Sequence, residues 1–390
     1  MDQSLGTVLV VAVIALAAPL LVQLTPRLRL PAVVLEILLG IVVGPSGFDW
    51  VEVDVPTDVL ALFGLGFLLF LAGLEIDPRR LRGAAPRVGL ALVVSLGLAV
   101  IVGFGVELVR ETTSPLFVGI ALVSTSLGLI VPVLRDAGQT ETELGQLVLA
   151  GASAGEFGSI VLVSLFFSQE ASSTEATAFL LAAFALLVVA IGLALSRAGR
   201  SIRMSGTLLR LEETTAQLGV RVAVVLLAMF FVLAADLGLE TILGAFVAGA
   251  LLRVVDRDEH LIHERFRAKI EAIGYGFLVP VFFVSSGLKF DADALFAEPE
   301  HLALVPAFLL ALLVVRGVPA LLYRPIVGTR RAVAAGLLQA TSLTFLVVAA
   351  HLGRELDVFD AATGSALLAA GLLSVVLFPP VALALLSRPD

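Results

Sequence analysis

Thirteen runs of mostly apolar residues, each near the ~20 that cross a bilayer, fill this chain and decide what it can fold into. They lie near 5–24, 31–48, 57–76, 86–106, 115–134, 144–167, 176–196, 216–236, 239–254, 271–290, 301–323, 331–352 and 361–387. Charge or Pro/Gly punctuation bounds each of them. Thirteen such spans take up roughly 260 positions of a 390-residue chain. Loops and termini account for the rest, so the expectation is a single membrane domain over 1–390 with no separate soluble domain. The fold class follows: an all-α polytopic membrane protein of about 13 transmembrane helices. Apolar residues make up 59% and charged residues 15%. Soluble domains carry about 25% charged residues, so a soluble enzyme or nucleic-acid binder is excluded. Without cysteine there are no disulfides, thiolate metal sites or thiol redox chemistry. Asp2 and Gln3 stand where a cleavable signal would be basic.

The loops sort by sign. One set holds Arg27 and Arg29, Arg79 to Arg87, Arg135, Arg197 to Arg210, Arg253 to Lys269, and Arg324 to Arg331. The other holds Asp49, Glu52, Asp54, Glu170, Glu175, Asp291, Asp293, Glu298 and Glu300, with Arg110 and Arg354 as its basic exceptions. Cytoplasmic loops retain Lys and Arg, which predicts an outside N-terminus and a cytoplasmic C-terminus.

Three patterns recur in the same order in both halves. Leu35-Glu36-Ile37-Leu38-Leu39-Gly40 returns as Leu239-Glu240-Thr241-Ile242-Leu243-Gly244. Gly64 to Leu68 and Gly73 to Asp77 return as Gly274 to Leu278 and Gly287 to Asp291. Thr125-Ser126-Leu127 returns as Thr341-Ser342-Leu343. The offsets drift slowly, from 204 through 210 and 214 to 216. Matched spans are seven apart, and an odd separation inverts orientation. Inverted repeats, about 31–167 and 239–387 with linking helices in 176–236, belong to secondary transporters whose site lies where broken helices meet at the midplane.

Two charged residues fall mid-span: Glu156, within Gly151-Ala152-Ser153-Ala154-Gly155-Glu156-Phe157-Gly158, and Arg316. A charge at that depth is a functional candidate by default, and the bland alternative is a helix-holding pair. The small residues around Glu156 leave space for an ion or let helices approach closely. Thr125 and Ser126, preceded by Ser124, and Thr341 and Ser342, preceded by Gln339, place hydroxyls and an amide at the same depth. They suit unwound helices that expose carbonyls to a cation, and Gly128 and Pro132 loosen the first. Hydroxyls bonded back to their own helix are the alternative. Glu156, with Ser153, Thr125 and Ser126, is the candidate ion and proton site. Arg316 is its candidate charge partner, and Thr341, Ser342 and Gln339 form the crossing. One carboxylate holds a proton or a small cation, so competition at Glu156 gives obligatory exchange. Glu36 and Glu240 read as helix-start carboxylates, with ion access the alternative. His260 and His263 read as part of a solvated loop, and Arg197–Arg210 as a topogenic, lipid-facing stretch.

With these residues in view, the chain resembles the monovalent cation:proton antiporter-2 family. The strings that carry the resemblance are Phe70-Leu71-Ala72-Gly73-Leu74-Glu75-Ile76-Asp77, Leu243 to Gly249, Pro280 to Leu288, and Glu36 to Gly47 with its Gly44-Pro45-Ser46-Gly47 end. The resemblance implies a core with two crossed broken helices, a dimerisation domain and an elevator-like movement. Glu156 then matches the second member of the family's acidic pair, and Arg316 its intramembrane basic residue. Thr125-Ser126 and Thr341-Ser342 match the crossings. Two departures stand out: the first position of the pair is Gly155, and the aspartate is a glutamate. The expectation is therefore electroneutral one-for-one exchange of Na+ or K+ for H+, with the cation held at Glu156 and no cofactor. A homodimer in membrane lipid is implied. Many relatives append a cytoplasmic regulatory domain; none is expected in a sequence ending at Asp390. The alternatives are a channel-like potassium-efflux pathway and a non-transporting ion sensor. An intramembrane enzyme finds no HExxH and no Ser/His or paired-Asp set at the midplane.

Overall fold

The computed structural model describes residues 2–24, 31–75, 78–109, 114–167, 217–237, 239–255 and 264–386, with the isolated positions 179, 182 and 186. Every regular element among them is helical. Among the described residues ten helices are long and apolar enough to cross a membrane, and Ala32–Val43 and Thr241–Arg253 are shorter apolar helices. These account for twelve of the thirteen expected spans. The 176–196 span, three isolated positions apart, lies outside the described residues, as do Arg197–Arg210, His260 and His263.

In chain order the helices are α1 (Asp2–Leu24), α2 (Ala32–Val43), α3 (Val55–Glu75), α4 (Pro78–Val109), α5 (Pro115–Val123) and α6 (Leu127–Asp136). Then come α7 (Glu143–Phe166), α8 (Leu218–Asp236), α9 (Thr241–Val255), α10 (Glu264–Ile273) and α11 (Val279–Leu288). Last are α12 (Ala292–Phe296), α13 (Pro299–Leu312), α14 (Arg324–Val327), α15 (Thr329–Gln339), α16 (Thr344–Glu355) and α17 (Ala361–Leu386). The expected spans 115–134 and 331–352 are each two half-helices separated by a non-helical break. The expected span 31–48 is helical only to Val43, because Gly44 is extended (φ −78°, ψ −175°) and the Pro45 turn follows.

Two π-helical turns interrupt the second half, Gly274–Leu278 between α10 and α11 and Leu313–Gly317 after α13. Each ends two residues before a proline, Pro280 or Pro319. A proline has no N–H for the carbonyl four residues back, and a widened turn with an i+5 bond, Val318 N to Leu313 O at 3.0 Å, relieves that mismatch.

The chain forms two compact units, Met1–Asp54 with Arg79–Leu162 and Phe283–Asp390, and Val55–Pro78 with Val163–Phe282. In the first, α2 meets α11 backbone to backbone: a Cβ on Gly40 would strike Val284 O, and one on Gly287 would strike Ile37 O. In the second, α3 meets α9 in the same manner, Gly73 against Phe246 O and Gly249 against Phe70 O. The sequence repeat pairs α2 with α9 and α3 with α11. α2 therefore packs on the repeat mate of α3, and α3 on the repeat mate of α2. Elsewhere apolar side chains face outward: Leu9 and Leu16 on α1 are both 65% exposed. Faces like these suit a bilayer rather than water.

One expectation about local structure is corrected. Glu36 does not start its helix: Pro31 is the N-cap, no acid lies in the first turn, and Glu36 sits buried one turn further in. Pro31, pre-set for helix entry, moved the start upstream of the residue that reads as a cap. Its repeat mate Glu240 directly precedes α9.

Candidate functional site

Two interrupted helices cross within the first unit, and each repairs the other. Ser114 starts α5 by accepting Phe117 N on its hydroxyl at 3.4 Å, with Pro115 behind it at a position that needs no donor. The chain turns extended at Ser124 (ψ 155°) and Ser126 (ψ 95°) before α6 begins. The second break separates α15 from α16 at Thr341, Ser342 and Leu343. Both breaks are buried, with Ser124, Thr125, Thr341 and Ser342 at 0% exposure. Backbone groups released at that depth need partners. Ser126 N donates to Thr341 O at 3.0 Å, and Thr125 Oγ1 donates to Gln339 O at 2.6 Å. The Ser124 and Ser342 hydroxyls lie 2.7 Å apart.

The capping crosses from the first broken helix to the second. Ser126 is the N-cap residue of α6, yet its hydroxyl makes no cap to its own helix. It accepts instead from Leu343 N at 2.7 Å and Thr344 N at 2.9 Å, the first donors of α16. At the start of α6, Leu127 N donates to Glu156 Oε2 at 3.3 Å. Glu156 is 3% exposed on α7, and so a buried carboxylate lies against the positive end of a half-helix.

Arg316 sits in the second π turn and is 2% exposed. Its Nε donates to Thr125 Oγ1 at 2.9 Å, its Nη2 to Gly151 O at 2.7 Å and its Nη1 to Ser95 Oγ at 3.4 Å. The guanidinium thus joins the first break to α7 at Gly151, five residues before Glu156. Gln339 extends the network, its Nε2 donating to Tyr323 OH at 3.2 Å and reaching Leu147 O at 3.5 Å.

The glycines of α7 admit these groups. A Cβ on Gly151 would collide with Gln339 Nε2, and one on Gly155 would lie 2.8 Å from both Arg316 Nη2 and Val123 O. The room there is already taken by neighbouring side chains and backbone, whereas Gly158 opens onto free space. Ser153 Oγ donates to Leu149 O at 2.9 Å and Thr341 Oγ1 to Leu337 O at 3.1 Å, each within its own helix. The sequence reading did not single out Ser95, Tyr323 or Ser374. Ser374 Oγ accepts from Ser342 N at 3.1 Å and lies 3.0 Å from Ser342 O, holding the second break from α17.

Among the described residues no group of three or more His, Cys, Asp or Glu side chains could hold a metal ion. A cation held here would combine the one carboxylate of Glu156 with neutral hydroxyl and carbonyl oxygens, a donor set suited to hard cations.

The chain is similar to YjbQ of Bacillus subtilis (strain 168), 28% identical over 392 residues, covering 96% of this chain and 62% of that protein. It therefore spans less than two thirds of that relative's length. It is similar to the Na(+)/H(+)-K(+) antiporter GerN of Bacillus cereus, 27% identical over 290 residues, covering 73% of this chain and 72% of GerN. The solved structure of the sodium proton antiporter MjNhaP1 from Methanocaldococcus jannaschii superimposes with a TM-score of 0.69 at 16% identity, over 99% of this chain and 100% of that one. That likeness shows a shared fold. Residues 11–386 match the family described as sodium/hydrogen exchanger, transmembrane. The chain with this cross-helix cap and a buried carboxylate at its crossing belongs to the sodium/hydrogen exchanger family.

Proposed function

We propose that this chain is a secondary antiporter that exchanges Na+ or K+ for H+. The observation that carries the reading is the Glu156 carboxylate, buried at 3% exposure against the first N–H of a broken helix. A carboxyl in that position takes either a proton or a cation, and loading one excludes the other. Ser153, Thr125 and Ser126 supply neutral oxygens nearby, and Arg316 holds the break in place. Gly155 favours one-for-one, electroneutral exchange. A second carboxylate there would need its Cβ 2.8 Å from Arg316 Nη2 and Val123 O. Alternating access moves the crossing as one elevator-like body within a single membrane domain built of inverted repeats. The chain works as a homodimer in the plasma membrane, its N-terminus outside and its C-terminus in the cytoplasm, and makes and breaks no covalent bonds.

The test is exchange in proteoliposomes. An imposed Na+ or K+ gradient moves protons through the wild-type protein, and Glu156→Gln abolishes the movement. Full ion-coupled proton flux in Glu156→Gln would overturn the role of this residue. A membrane potential set with a potassium ionophore leaves the Na+/H+ rate unchanged; a strong voltage dependence would overturn electroneutrality alone.

A further inference from the structure

Glu36 is a buried acid that the crossing does not use. It lies in α2 at 4% exposure, and among the described residues its Oε2 has no hydrogen-bond partner. An ionisable side chain within an apolar membrane helix is a functional candidate in its own right. Its surroundings offer little to balance a charge. Glu36 is the one ionisable residue of Ala32–Val43. Of the helices packed on α2, α1 carries a single ionisable side chain, Asp2 at its first residue, and α11 carries none. Lys289 follows α11 directly, but α11 ends at the level of Gly44, whose Cβ would lie 3.1 Å from Leu288 Cα. Gly44 is eight residues beyond Glu36, about 12 Å of helix rise.

The seam beside Glu36 is tight. Its neighbour Ile37 presents the carbonyl that a Cβ on Gly287 would strike, and that Cβ would lie 3.0 Å from Gly40 Cα. On the α11 side Ser285 follows Val284, whose carbonyl faces Gly40. Ser285 is 1% exposed, and its Oγ also lacks a partner among the described residues. Two helices pressed backbone to backbone thus each carry an unsatisfied polar oxygen. Native folds leave few such atoms, and those that remain mark a strained or functional place. A carboxylate with no counter-charge is costly in an apolar seam, whereas the uncharged acid is tolerated there. We propose that Glu36 is a second proton-binding site, which holds its proton while α2 and α11 touch and gives it up to water when the seam opens. Proton release and helix separation are then one linked event, and rising pH loosens this seam without acting on Glu156.

Hydrogen–deuterium exchange of the full chain in proteoliposomes, followed over a pH series, tests the linkage. Opening that is linked to the loss of one proton grows about tenfold per pH unit, over and above the intrinsic chemical rise. Amides 37–40 and 284–288 of the wild-type protein show that excess over one stretch of the series. Glu36→Gln and Glu36→Met, both uncharged, leave only the intrinsic rise. Glu156→Gln keeps the excess, which separates this site from the ion-exchange reading. Infrared spectra follow the proton itself. The C=O stretch of a protonated carboxyl fades over the same stretch of pH in the wild type and in Glu156→Gln, and Glu36→Gln lacks that component. No excess in the wild type, an excess that survives in both Glu36 variants, or an infrared titration unchanged by Glu36→Gln overturns the proposal.

Discussion

Ser126→Ala isolates the cap that crosses between the broken helices. The substitution removes one oxygen atom from a site at 1% exposure and leaves the backbone bond from Ser126 N to Thr341 O intact. Two donors, Leu343 N and Thr344 N, lose a partner that stood 2.7 and 2.9 Å away. Neither can turn to water, and Leu343 has no side-chain cap of its own to offer α16. At roughly 1–2 kcal/mol for each buried donor left unsatisfied, the loss is about 2–4 kcal/mol. That is more than the ~1 kcal/mol typical of an ordinary N-cap serine. Ser153→Ala is the matched control: its hydroxyl bonds Leu149 O within one helix, and its removal costs less than about 0.5 kcal/mol. Equilibrium unfolding in mixed micelles measures both. Equal losses in the two variants would refute the argument that Ser126 caps the opposite helix.

Gly155→Ala sets a methyl group 2.8 Å from Arg316 Nη2 and Val123 O; it should cost about 1–3 kcal/mol and slow exchange, and wild-type stability in the same unfolding assay would contradict it. Arg316→Lys keeps the charge but cannot span Thr125, Gly151 and Ser95 together, so exchange in proteoliposomes should fall at least tenfold; an unchanged rate would leave charge alone as the requirement. Glu36→Met replaces a carboxyl whose Oε2 is buried without a hydrogen-bond partner. It should raise stability by about 1–3 kcal/mol, seen as a higher unfolding midpoint, whereas a lower midpoint would show that the carboxyl is needed where it is.

The spans were legible because length and apolar content suffice to set a membrane helix, and the two Thr-Ser-Leu strings marked both breaks. Glu156 and Arg316 stood out because charge is rare at that depth. What the chain joins across long separations was not legible. Arg316 and Ser95 are 221 residues apart and Ser342 and Ser374 are 32 apart, with no local pattern to link either pair. Tyr323 also carried no signal, since an aromatic ring in an apolar run reads as packing until its hydroxyl is found 3.2 Å from Gln339. Gly151 and Gly155 were recognised as small, but what they admit could not be read: an amide and a guanidinium arriving from other helices. Glu36 was misplaced for a simpler reason, because helix ends shift by a turn when a proline competes with an acid to begin them. The π turn that aims the guanidinium was not anticipated, although Pro319 stands three residues after Arg316.

The Ser126 hydroxyl and its partner Leu343 N are separated by 217 residues of chain. At ribosomal rates of about 5–20 residues per second, their meeting waits roughly 10–40 s after Ser126 has been made. Through that interval the nascent protein holds an unwound segment in the bilayer whose counterpart has not been synthesised. A chain stopped before α16 has nothing to complete it and is a ready target for quality-control proteases.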